Sequence, residues 1–407
     1  MAPRSIIGRT GAFGSGCTTA AKHLRDARGF VVVRLSDLIR ATWQKSNATE
    51  PSRLQLQRLG DELRRKHHPG VLIELALKSL GEKLPDNVVI DGIRNIGEIE
   101  YLRDRYGYRF TLMAILASFD ARWDRIASTY TDQQLQLSDF IEDDKRDKNE
   151  ETTYGQQVEL CVDKADILID NSTASTTQFK NKLTDFVDLV TGTKLRGATT
   201  AEILMNIAFS SSHSSKCIKR HVGAVIADPK GQVVSAGYNE NPLGTKPCIE
   251  EPEYDNQCFR DIIRNEHFES LSEKGARCPV CGERIIFEKG PPWRCKACSD
   301  KGEKTNLEGF FFPDRALNWC TAVHAEVWAI LAAGERARSG VLYTTTFPCA
   351  QCAEKIVQAG IEKVIFTESY PDPHGATRLK LGKVELQQFE GVRSSSFERI
   401  FSRMNPV

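Results

Sequence analysis

Short apolar runs alternate with amphipathic segments through the first half of the chain. Strand-like runs occupy residues 6–8, 30–35, 88–92, 110–116 and 165–171, and helical segments lie between them and continue to about residue 190. Because strands that alternate with helices usually pair in parallel, this pattern predicts a parallel sheet with helices on both faces.

The second half begins with a different pattern, a predicted hairpin. Apolar runs at residues 222–226 and 233–237 flank a turn at 228–231. A helix beginning near His324, a strand at 341–346, a second helix and a strand at 363–367 follow. This order predicts a mixed sheet in a three-layer α/β/α arrangement, so both halves belong to the α/β class.

Length and composition indicate a protein of two domains. A chain of 407 residues is longer than one core usually accommodates, and the expected domains are 1–192 and 198–407, with a cysteine-rich insertion at about 240–320. The formal net charge of +1 gives no overall attraction to nucleic acid or to an anionic membrane. The chain contains no run of about 18 apolar residues, and its N-terminus lacks the apolar core of a signal peptide. A cytoplasmic protein without a membrane segment is expected.

A glycine-rich loop follows the first predicted strand. Backbone N–H groups and the helix dipole at such a junction attract phosphate. The spacing is that of G-x-x-x-x-G-K-[ST] with Cys17 in the place of the lysine, so binding of ATP or GTP is expected without appreciable phosphoryl transfer. An ordinary strand-to-helix turn is the alternative. The candidate nucleotide-binding residues of the loop are Gly11, Gly14, Ser15, Gly16, Cys17 and Thr18.

Other residues of the first half are candidates for the same site. Asp91 ends a predicted buried strand, as the carboxylate of a nucleotide-binding site does, and Thr18 is a candidate ligand for the Mg²⁺ that accompanies a nucleotide. Arg122 and Arg125 occupy the place of a kinase lid, where they are either functional or structural. The charged run at 142–148 is expected to form a solvated helix.

Two short motifs carry the chemistry of the second half. His324 precedes Glu326 by two residues, and Pro348 precedes the pair Cys349 and Cys352. One imidazole and two thiolates supply three ligands of a catalytic zinc and leave one position for water. With Glu326 as the proton carrier, this pattern is typical of zinc nucleobase deaminases. A purely structural zinc knuckle is the alternative.

Two further C-x-x-C pairs lie in the insertion, Cys278 with Cys281 and Cys295 with Cys298. In a reducing compartment this spacing is more typical of metal binding than of a disulfide, so a second, structural zinc is expected. Because the insertion offers little apolar core, a bound metal would stabilise its fold. A redox pair is the alternative.

Several segments resemble known protein families. The first 190 or so residues resemble the nucleoside monophosphate kinases of the P-loop class, through the glycine loop, residues 90–95 and residues 165–171. Residues 217–226 and 237–244, together with the two zinc motifs, resemble deoxycytidylate deaminases. That resemblance implies that Asn239 contacts the substrate sugar, and a plain turn residue is the alternative. The combination of the two halves resembles the bacterial anti-phage dCTP deaminases.

This last resemblance implies deamination of dCTP, and of dCMP, to the uracil nucleotide, which would deplete the cytosine deoxynucleotide pool during phage replication. It also implies an inhibitory RNA partner and a homo-oligomer. Three alternatives stay open: a housekeeping dCMP deaminase with a nucleotide-sensing domain, a polynucleotide cytosine or adenine deaminase, and a nucleotide kinase or sensor with a structural zinc. The absence of an aromatic-plus-basic groove signature argues against the second. Cys17 and Glu326 argue against the third.

Overall fold

The chain divides into two compact units. The first comprises Met1–Asn206, Thr367–Tyr370 and Gln387–Val407, and the second comprises Ile207–Phe366 and Pro371–Leu386. Residues after 386 therefore group with the first unit, whereas the sequence-based division assigned them to the second domain. The computed structural model describes residues 4–46, 48–127, 137–148, 153–273, 277–278, 280–283, 285–287, 293–295, 297, 301–302, 320–367 and 373–402.

Strands and helices alternate along the first unit, as the apolar pattern predicts. Three of its helices begin at a capping box, and the first residues of these boxes are Ser52, Asn95 and Ser175. The elements are β1 (Ser5–Thr10), α1 (Cys17–Arg28), β2 (Val31–Arg34), α2 (Leu35–Gln44), α3 (Arg53–Lys66), α4 (Val71–Ser79), β3 (Asn87–Asp91), α5 (Ile96–Tyr106), β4 (Phe110–Leu116), α6 (Phe119–Ala127), α7 (Leu137–Lys148), α8 (Val158–Asp163), β5 (Ile167–Asp170) and α9 (Thr176–Thr191).

The elements of the second unit follow, and the first and the last of them each have residues in both units. They are α10 (Thr200–Ser212), β6 (Gly223–Ala227), β7 (Val233–Tyr238), α11 (Phe259–Glu273), β8 (Ile285–Phe287), β9 (Trp293–Cys295), β10 (Lys301–Gly302), α12 (Ala325–Ala333), β11 (Val341–Thr344), α13 (Ala350–Gln358), β12 (Lys363–Phe366), α14 (Pro373–Leu381) and β13 (Glu385–Gln388). The chain then adds β14 (Gly391–Val392) and α15 (Ser394–Phe401) to the first unit.

The first unit is built on a six-stranded sheet in the order β14-β5-β4-β1-β3-β2. Strand β1 pairs in parallel with both β3 and β4, and all residues of β1 and β4 are buried. Burial on both faces is what central strands of a parallel sheet require, because helices cover each side. The predicted parallel sheet of this half is confirmed.

One strand of this sheet was not predicted from the sequence. β14 pairs antiparallel with β5, with Val392 opposite Ile167. Behind it, Arg399 of α15 forms an ion pair of 3.3 Å with the buried Asp166. A strand of two residues is too short to show any periodicity, which is why the apolar pattern does not reveal it.

The second unit is built on a five-stranded mixed sheet in the order β13-β12-β11-β6-β7. β6 and β7 form the predicted hairpin, and β11 pairs antiparallel with β6 and parallel with β12. In the hairpin turn, Asp228 Oδ1 accepts hydrogen bonds of 2.9 Å from the N–H groups of Lys230 and Gln232. The predicted α/β class is confirmed for this half as well.

The insertion contains a small antiparallel sheet of β8, β9 and β10, which follows α11. Among the helices that the structure describes, none combines the length and the apolar character that crossing a membrane requires.

Candidate functional site

The two zinc motifs of the sequence each lie at the start of a helix. His324 is the residue that precedes α12, and Glu326 occupies the first turn of that helix. Helix α12 approaches β7 so closely that a Cβ atom on Gly237 would lie 2.6 Å from the carbonyl oxygen of Ala325 and 2.6 Å from the backbone nitrogen of Ala329. The absence of a side chain at Gly237 therefore allows α12 to pack this closely against β7.

The second motif completes a cluster of three metal-binding side chains. Cys349 precedes α13, and Cys352 lies in its first turn. His324 Nδ1 lies 3.1 Å from Cys352 Sγ and 3.4 Å from Cys349 Sγ. All three donor atoms lie within 4.8 Å of one another. One nitrogen and two sulfurs at these separations fit three corners of a tetrahedral zinc site.

The electrostatics of this cluster also suit a cation. A hydrogen bond from the thiol of Cys352 lowers the pKa of Cys349 to about 3, so Cys349 is a thiolate at neutral pH. The hydrogen bond between His324 and Cys349 raises the pKa of His324. Because both thiols lie at the N-terminus of α13, the dipole of that helix also favours their ionised forms. A thiolate beside a second thiol and an imidazole is a donor set that suits a zinc ion.

Glu326 is buried against the same cluster. Its side chain is part of a residue only 3% exposed, and its Oε2 accepts a hydrogen bond of 3.5 Å from Cys352 Sγ. Burial raises the pKa of Glu326, which brings the carboxyl closer to the range in which it both accepts and donates protons. The structure thus brings together the four residues that the sequence analysis assigned to catalysis and to its metal.

Asn239 follows β7 and is buried, with 8% exposure. Its Oδ1 accepts a hydrogen bond of 2.7 Å from the N–H of Val222, and its Nδ2 donates one of 2.9 Å to the carbonyl oxygen of Arg220. These bonds fix the segment that leads into β6. The Asn239 side chain thus has a structural role, and its contact with a substrate sugar stays a prediction.

The insertion contains a second cluster of cysteines. Donor atoms of Cys278, Cys281 and Cys295 lie within 4.8 Å of one another, and the Sγ atoms of Cys281 and Cys295 are 3.4 Å apart. The N–H of Gly282 bonds to the carbonyl oxygen of Cys278 and closes the turn that presents the first pair. Cys298, the fourth ligand expected from the sequence, lies outside the described residues. Three sulfur donors, two on one turn and the third at the end of β9, fit a structural zinc.

In the first unit, the glycine loop joins β1 to α1 in the manner expected of a phosphate cradle. Gly16 precedes α1 with a φ of 110°, a backbone conformation that favours glycine. A Cβ atom there would lie 2.6 Å from Nδ2 of Asn171, and that Nδ2 donates a hydrogen bond of 2.8 Å to the Ser15 carbonyl. The loop and Asp91 line one cavity of about 660 Å³, so the predicted nucleotide-binding residues are brought together.

Arg9 belongs to this region and was missed in the sequence. It is fully buried, donates a hydrogen bond to the carbonyl oxygen of Cys17, and forms an ion pair of 2.7 Å with Asp91. In the strand register, Arg9 of β1 lies directly beside Asp91 of β3. The signal in the sequence was an arginine directly after the apolar run at residues 6–8, shortly before a loop that lacks its lysine.

Arg122 and Arg125 are attached to the glycine loop. Arg122 is buried, forms ion pairs with the buried Asp144, and donates to the carbonyl oxygen of Phe13. Arg125 donates to the carbonyl oxygens of Gly14 and Asn171. The expectation that the charged run at 142–148 is simply solvated is therefore wrong for Asp144. A buried acid inside a mixed charge run needs a long-range partner, which the local sequence does not show.

The second half of the chain matches a known family profile. Residues 198–368 match the profile described as the cytidine and deoxycytidylate deaminase zinc-binding region. The deoxycytidylate deaminase of Schizosaccharomyces pombe is 27% identical over 236 residues, which are 57% of this chain and 56% of that protein. The deoxycytidylate deaminase of Enterobacteria phage T4 is 29% identical over 177 residues, which are 42% of this chain and 78% of that protein. The chain thus spans little more than half the length of the fission-yeast protein.

A third similarity concerns proteins named without an activity. A UPF0200 protein of Pyrobaculum aerophilum is 32% identical over 180 residues, which are 44% of this chain and 94% of that protein. The similarity therefore extends over nearly the whole archaeal protein.

Proposed function

Since the chain belongs to the UPF0200 family, through its match to nearly the whole of an archaeal member, and also carries the zinc-binding region of cytidine and deoxycytidylate deaminases, we propose that it is a zinc-dependent deaminase of deoxycytidine nucleotides with an attached nucleotide-binding unit. The observation that carries the deaminase proposal is the position of Glu326, buried beside the cluster of His324, Cys349 and Cys352.

The reaction replaces the amino group at C4 of cytosine by oxygen. A zinc ion held by His324, Cys349 and Cys352 would lower the pKa of water and so make hydroxide available near neutral pH. Glu326 accepts one proton of that water and delivers it to N3 of the ring, and then takes the second proton from the new hydroxyl at C4 and delivers it to the leaving amino group. The water oxygen bonds to C4, the C4–N bond breaks, and ammonia leaves.

Burial of Glu326 supports this role in two ways. A carboxyl with a raised pKa holds the proton long enough to pass it to a weakly basic ring nitrogen. Removal from bulk water also means that the proton is exchanged with the bound substrate rather than with solvent. An acid on an exposed turn of the same helix would have neither property.

We propose dCTP as a substrate, together with dCMP, and depletion of the cytosine deoxynucleotide pool in anti-phage defence as the biological role. The resemblance of the two-unit arrangement to the anti-phage dCTP deaminases supports this finer proposal, as does the cavity beside the glycine loop for a regulatory nucleotide. An RNA that restrains the enzyme, and assembly into a homo-oligomer, belong to the same proposal. The attached unit would then report the nucleotide state of the cell to the deaminase.

One assay tests the proposal against its alternatives. The purified full chain is mixed separately with dCTP, dCMP, CTP and a single-stranded cytosine oligonucleotide, and ammonia and uracil products are measured. Turnover of dCTP and dCMP is expected. Turnover of dCMP alone would favour a housekeeping enzyme, and turnover of the oligonucleotide alone would overturn the proposal.

The role of Glu326 has a matched control on the same stretch of chain. Glu326→Ala should abolish turnover while the zinc content stays unchanged, because the carboxylate is not one of the three metal-binding residues. Glu335→Ala removes an exposed carboxylate just beyond α12 and should leave turnover intact. Activity retained in Glu326→Ala would remove that residue from its assigned role.

A further inference from the structure

A group of basic side chains in the second unit has no part in the deamination chemistry described above. Lys219 lies in the loop of residues 216–221 that leads into β6, and Arg260 and Arg264 lie on α11 of the insertion. All three form ion pairs with one carboxylate, that of Asp261. These four residues are named the Asp261 cluster.

The charges within the Asp261 cluster do not balance. Arg264 Nη2 lies 3.5 Å and Arg260 Nε lies 3.8 Å from Asp261 Oδ1, and Lys219 Nζ contacts Asp261 Oδ2. Within the part of the chain that the structure describes, Asp261 is the only acid that forms an ion pair with any of the three cations. Three positive charges and one negative charge leave a surplus of two positive charges.

The positions of the two arginines on α11 make this surplus unfavourable unless a further anion is present. Arg260 and Arg264 are four residues apart, so they lie on the same side of the helix, where like charges repel each other. Arg260 also lies in the first turn of α11, where the helix dipole disfavours a cation and favours an anion. A bound anion would relieve both effects.

The cations of the cluster are more accessible to solvent than its carboxylate is. The side chain of Asp261 is 15% exposed, whereas the side chains of Arg264 and Lys219 are 37% and 46% exposed. The Nε of Arg264 is buried and has no hydrogen-bond acceptor among the described residues. An anion arriving from solvent would therefore meet the positive groups before it meets Asp261.

A neighbouring ion pair shows what a purely structural attachment of this loop requires. Lys216 Nζ lies 2.6 Å from Glu250 Oε1, so one cation is opposite one acid. That pair already joins the loop of residues 216–221 to the insertion. The two additional arginines around Asp261 exceed what the same kind of attachment requires, so a structural role alone does not account for them.

Backbone contacts connect the loop that carries Lys219 to the zinc-binding motif. The side chain of Asn239 forms hydrogen bonds with two backbone groups at the end of this loop. The next residue, Glu240, exchanges two backbone hydrogen bonds of 2.8 and 3.1 Å with Val323. Val323 directly precedes the metal-binding residue His324. The loop and the zinc motif therefore flank the same short segment, residues 239–240.

Arg260 lies close to the chain that leads into the same motif. Burial raises the pKa of the Cys320 thiol, and the positive charge of Arg260 acts against this increase. Such an effect requires that the two groups are near each other, and Cys320 is only four residues before His324. The surplus of positive charge therefore lies near the segment that ends in a metal-binding residue.

Given the proposed deamination of dCTP and dCMP, on which this step rests, we infer that the Asp261 cluster binds the outer phosphates of dCTP while its base lies at the zinc site. Each phosphate added to the nucleotide brings more negative charge to offset the surplus. Arg260 and Arg264 pair with phosphate oxygens through the planar guanidinium group, and Lys219 acts as a point charge. The insertion thus selects the triphosphate over the monophosphate.

Steady-state kinetics of the zinc-loaded full chain with dCMP, dCDP and dCTP test the inference. In the wild type the KM should fall as phosphates are added. The double variant Arg260→Gln with Arg264→Gln should raise the KM for dCTP by at least about tenfold, because hydrogen bonds to charged groups are lost. Its KM for dCMP should change by less than about threefold. A parallel rise of both KM values would overturn the inference.

Two comparisons separate phosphate binding from a structural role. Arg336→Gln removes an exposed arginine just beyond α12 and should leave all three KM values unchanged. Added salt should raise the KM of the wild type for dCTP more than that of the double variant, because salt screens the charges that the double variant lacks. If the cluster only attached the insertion to the loop, salt would affect both proteins equally, which would contradict the inference.

The outcomes distinguish this inference from the proposed function. Turnover of dCMP and dCTP with equal KM in the wild type would overturn the inference and leave the proposed deaminase in place. If no deoxycytidine nucleotide is turned over, the proposed function fails, and equilibrium dialysis with labelled dCTP tests the cluster by itself. The double variant should then bind one equivalent of dCTP fewer than the wild type, and equal stoichiometry would overturn the inference. The single variants Arg260→Gln and Arg264→Gln replace the double variant if it does not fold.

Discussion

The hydroxyl of Ser235 on β7 donates a hydrogen bond of 2.7 Å to the carbonyl oxygen of Ala329 on α12. Both residues are buried. The bond joins the outer strand of the hairpin to the helix that carries Glu326, one turn beyond that carboxylate. Together with the close approach at Gly237, it fixes the position of α12 on the sheet.

We therefore expect Ser235→Ala to weaken the packing of α12 against β7. The second unit should lose about 1 kcal/mol of unfolding free energy, as is typical when one buried hydrogen bond is removed. Chemical denaturation followed by tryptophan fluorescence measures the loss. Because the hydroxyl does not touch the metal-binding cluster, zinc content should stay at the wild-type level, and a loss of zinc in this variant would contradict the assigned role.

Metal analysis should give more than one zinc per chain. Cys349→Ala removes a ligand of the first cluster and should abolish deamination together with one equivalent of zinc. Cys281→Ala removes a ligand of the insertion cluster and should lower the zinc content by one equivalent as well, with the catalytic cluster still loaded. A wild-type ratio of one zinc per chain would contradict the structural site.

The stability of the first unit should depend on pH through Glu202. Burial by itself would raise the pKa of this carboxyl, but hydrogen bonds from Arg196 and from the N–H groups of Thr199 and Val392 lower it below its ordinary value of 4.5. A carboxyl with a lowered folded-state pKa stabilises the fold above its unfolded-state pKa, and this stabilisation is lost as the pH falls through the folded-state pKa.

Comparison of Glu202→Gln with the wild type isolates this effect. At neutral pH the variant should unfold at a lower denaturant concentration than the wild type. This difference between the two midpoints should become smaller as the pH is lowered below about 4.5. Glu398→Gln removes an exposed carboxylate on α15 and serves as the control. A difference between the midpoints that stays constant across this pH range would show that Glu202 stabilises the unit through packing and hydrogen-bond geometry and not through its charge.

Removal of one partner of the ion pair between Arg122 and Asp144 should strongly destabilise the first unit. Both side chains are only 3% exposed, so Asp144→Ala leaves a buried guanidinium without its carboxylate. Destabilisation of the first unit by about 3–5 kcal/mol is expected.

The double variant Arg122→Leu with Asp144→Leu is the matched comparison. Replacing both charges by apolar groups removes the unpaired charge, and the double variant should be more stable than Asp144→Ala. Thermal unfolding at one pH and salt concentration measures both. A double variant less stable than the single one would mean that Arg122 holds the glycine loop mainly through its bond to the Phe13 carbonyl.

Much of the catalytic cluster could be predicted because its information is local. His324 and Glu326 are two residues apart, Cys349 and Cys352 are three apart, and each pair begins a helix. The fold class followed from the alternation of apolar runs in the same way. That the two helix starts meet depends on the order of strands in the sheet, which short windows of sequence do not contain.

The missed features depend on contacts between distant residues. Arg9 and Asp91 are adjacent only because β1 and β3 pair in one register, and Asp144 is buried only because Arg122 faces it. Neither residue type is expected inside a protein without a partner. The added strand β14 is likewise a matter of pairing, since its two residues show no pattern until β5 lies beside them.

The place of β14 has a consequence for how the protein is made. The strand that covers β5 at the edge of the first sheet is supplied by residues 391–392, after the whole second unit has been synthesised. During translation this sheet edge stays exposed while more than half of the chain remains to be synthesised. Exposed sheet edges can pair with strands of other chains. A fragment ending near residue 192 would lack β14 and would carry this edge permanently, so the full chain is the better choice for expression.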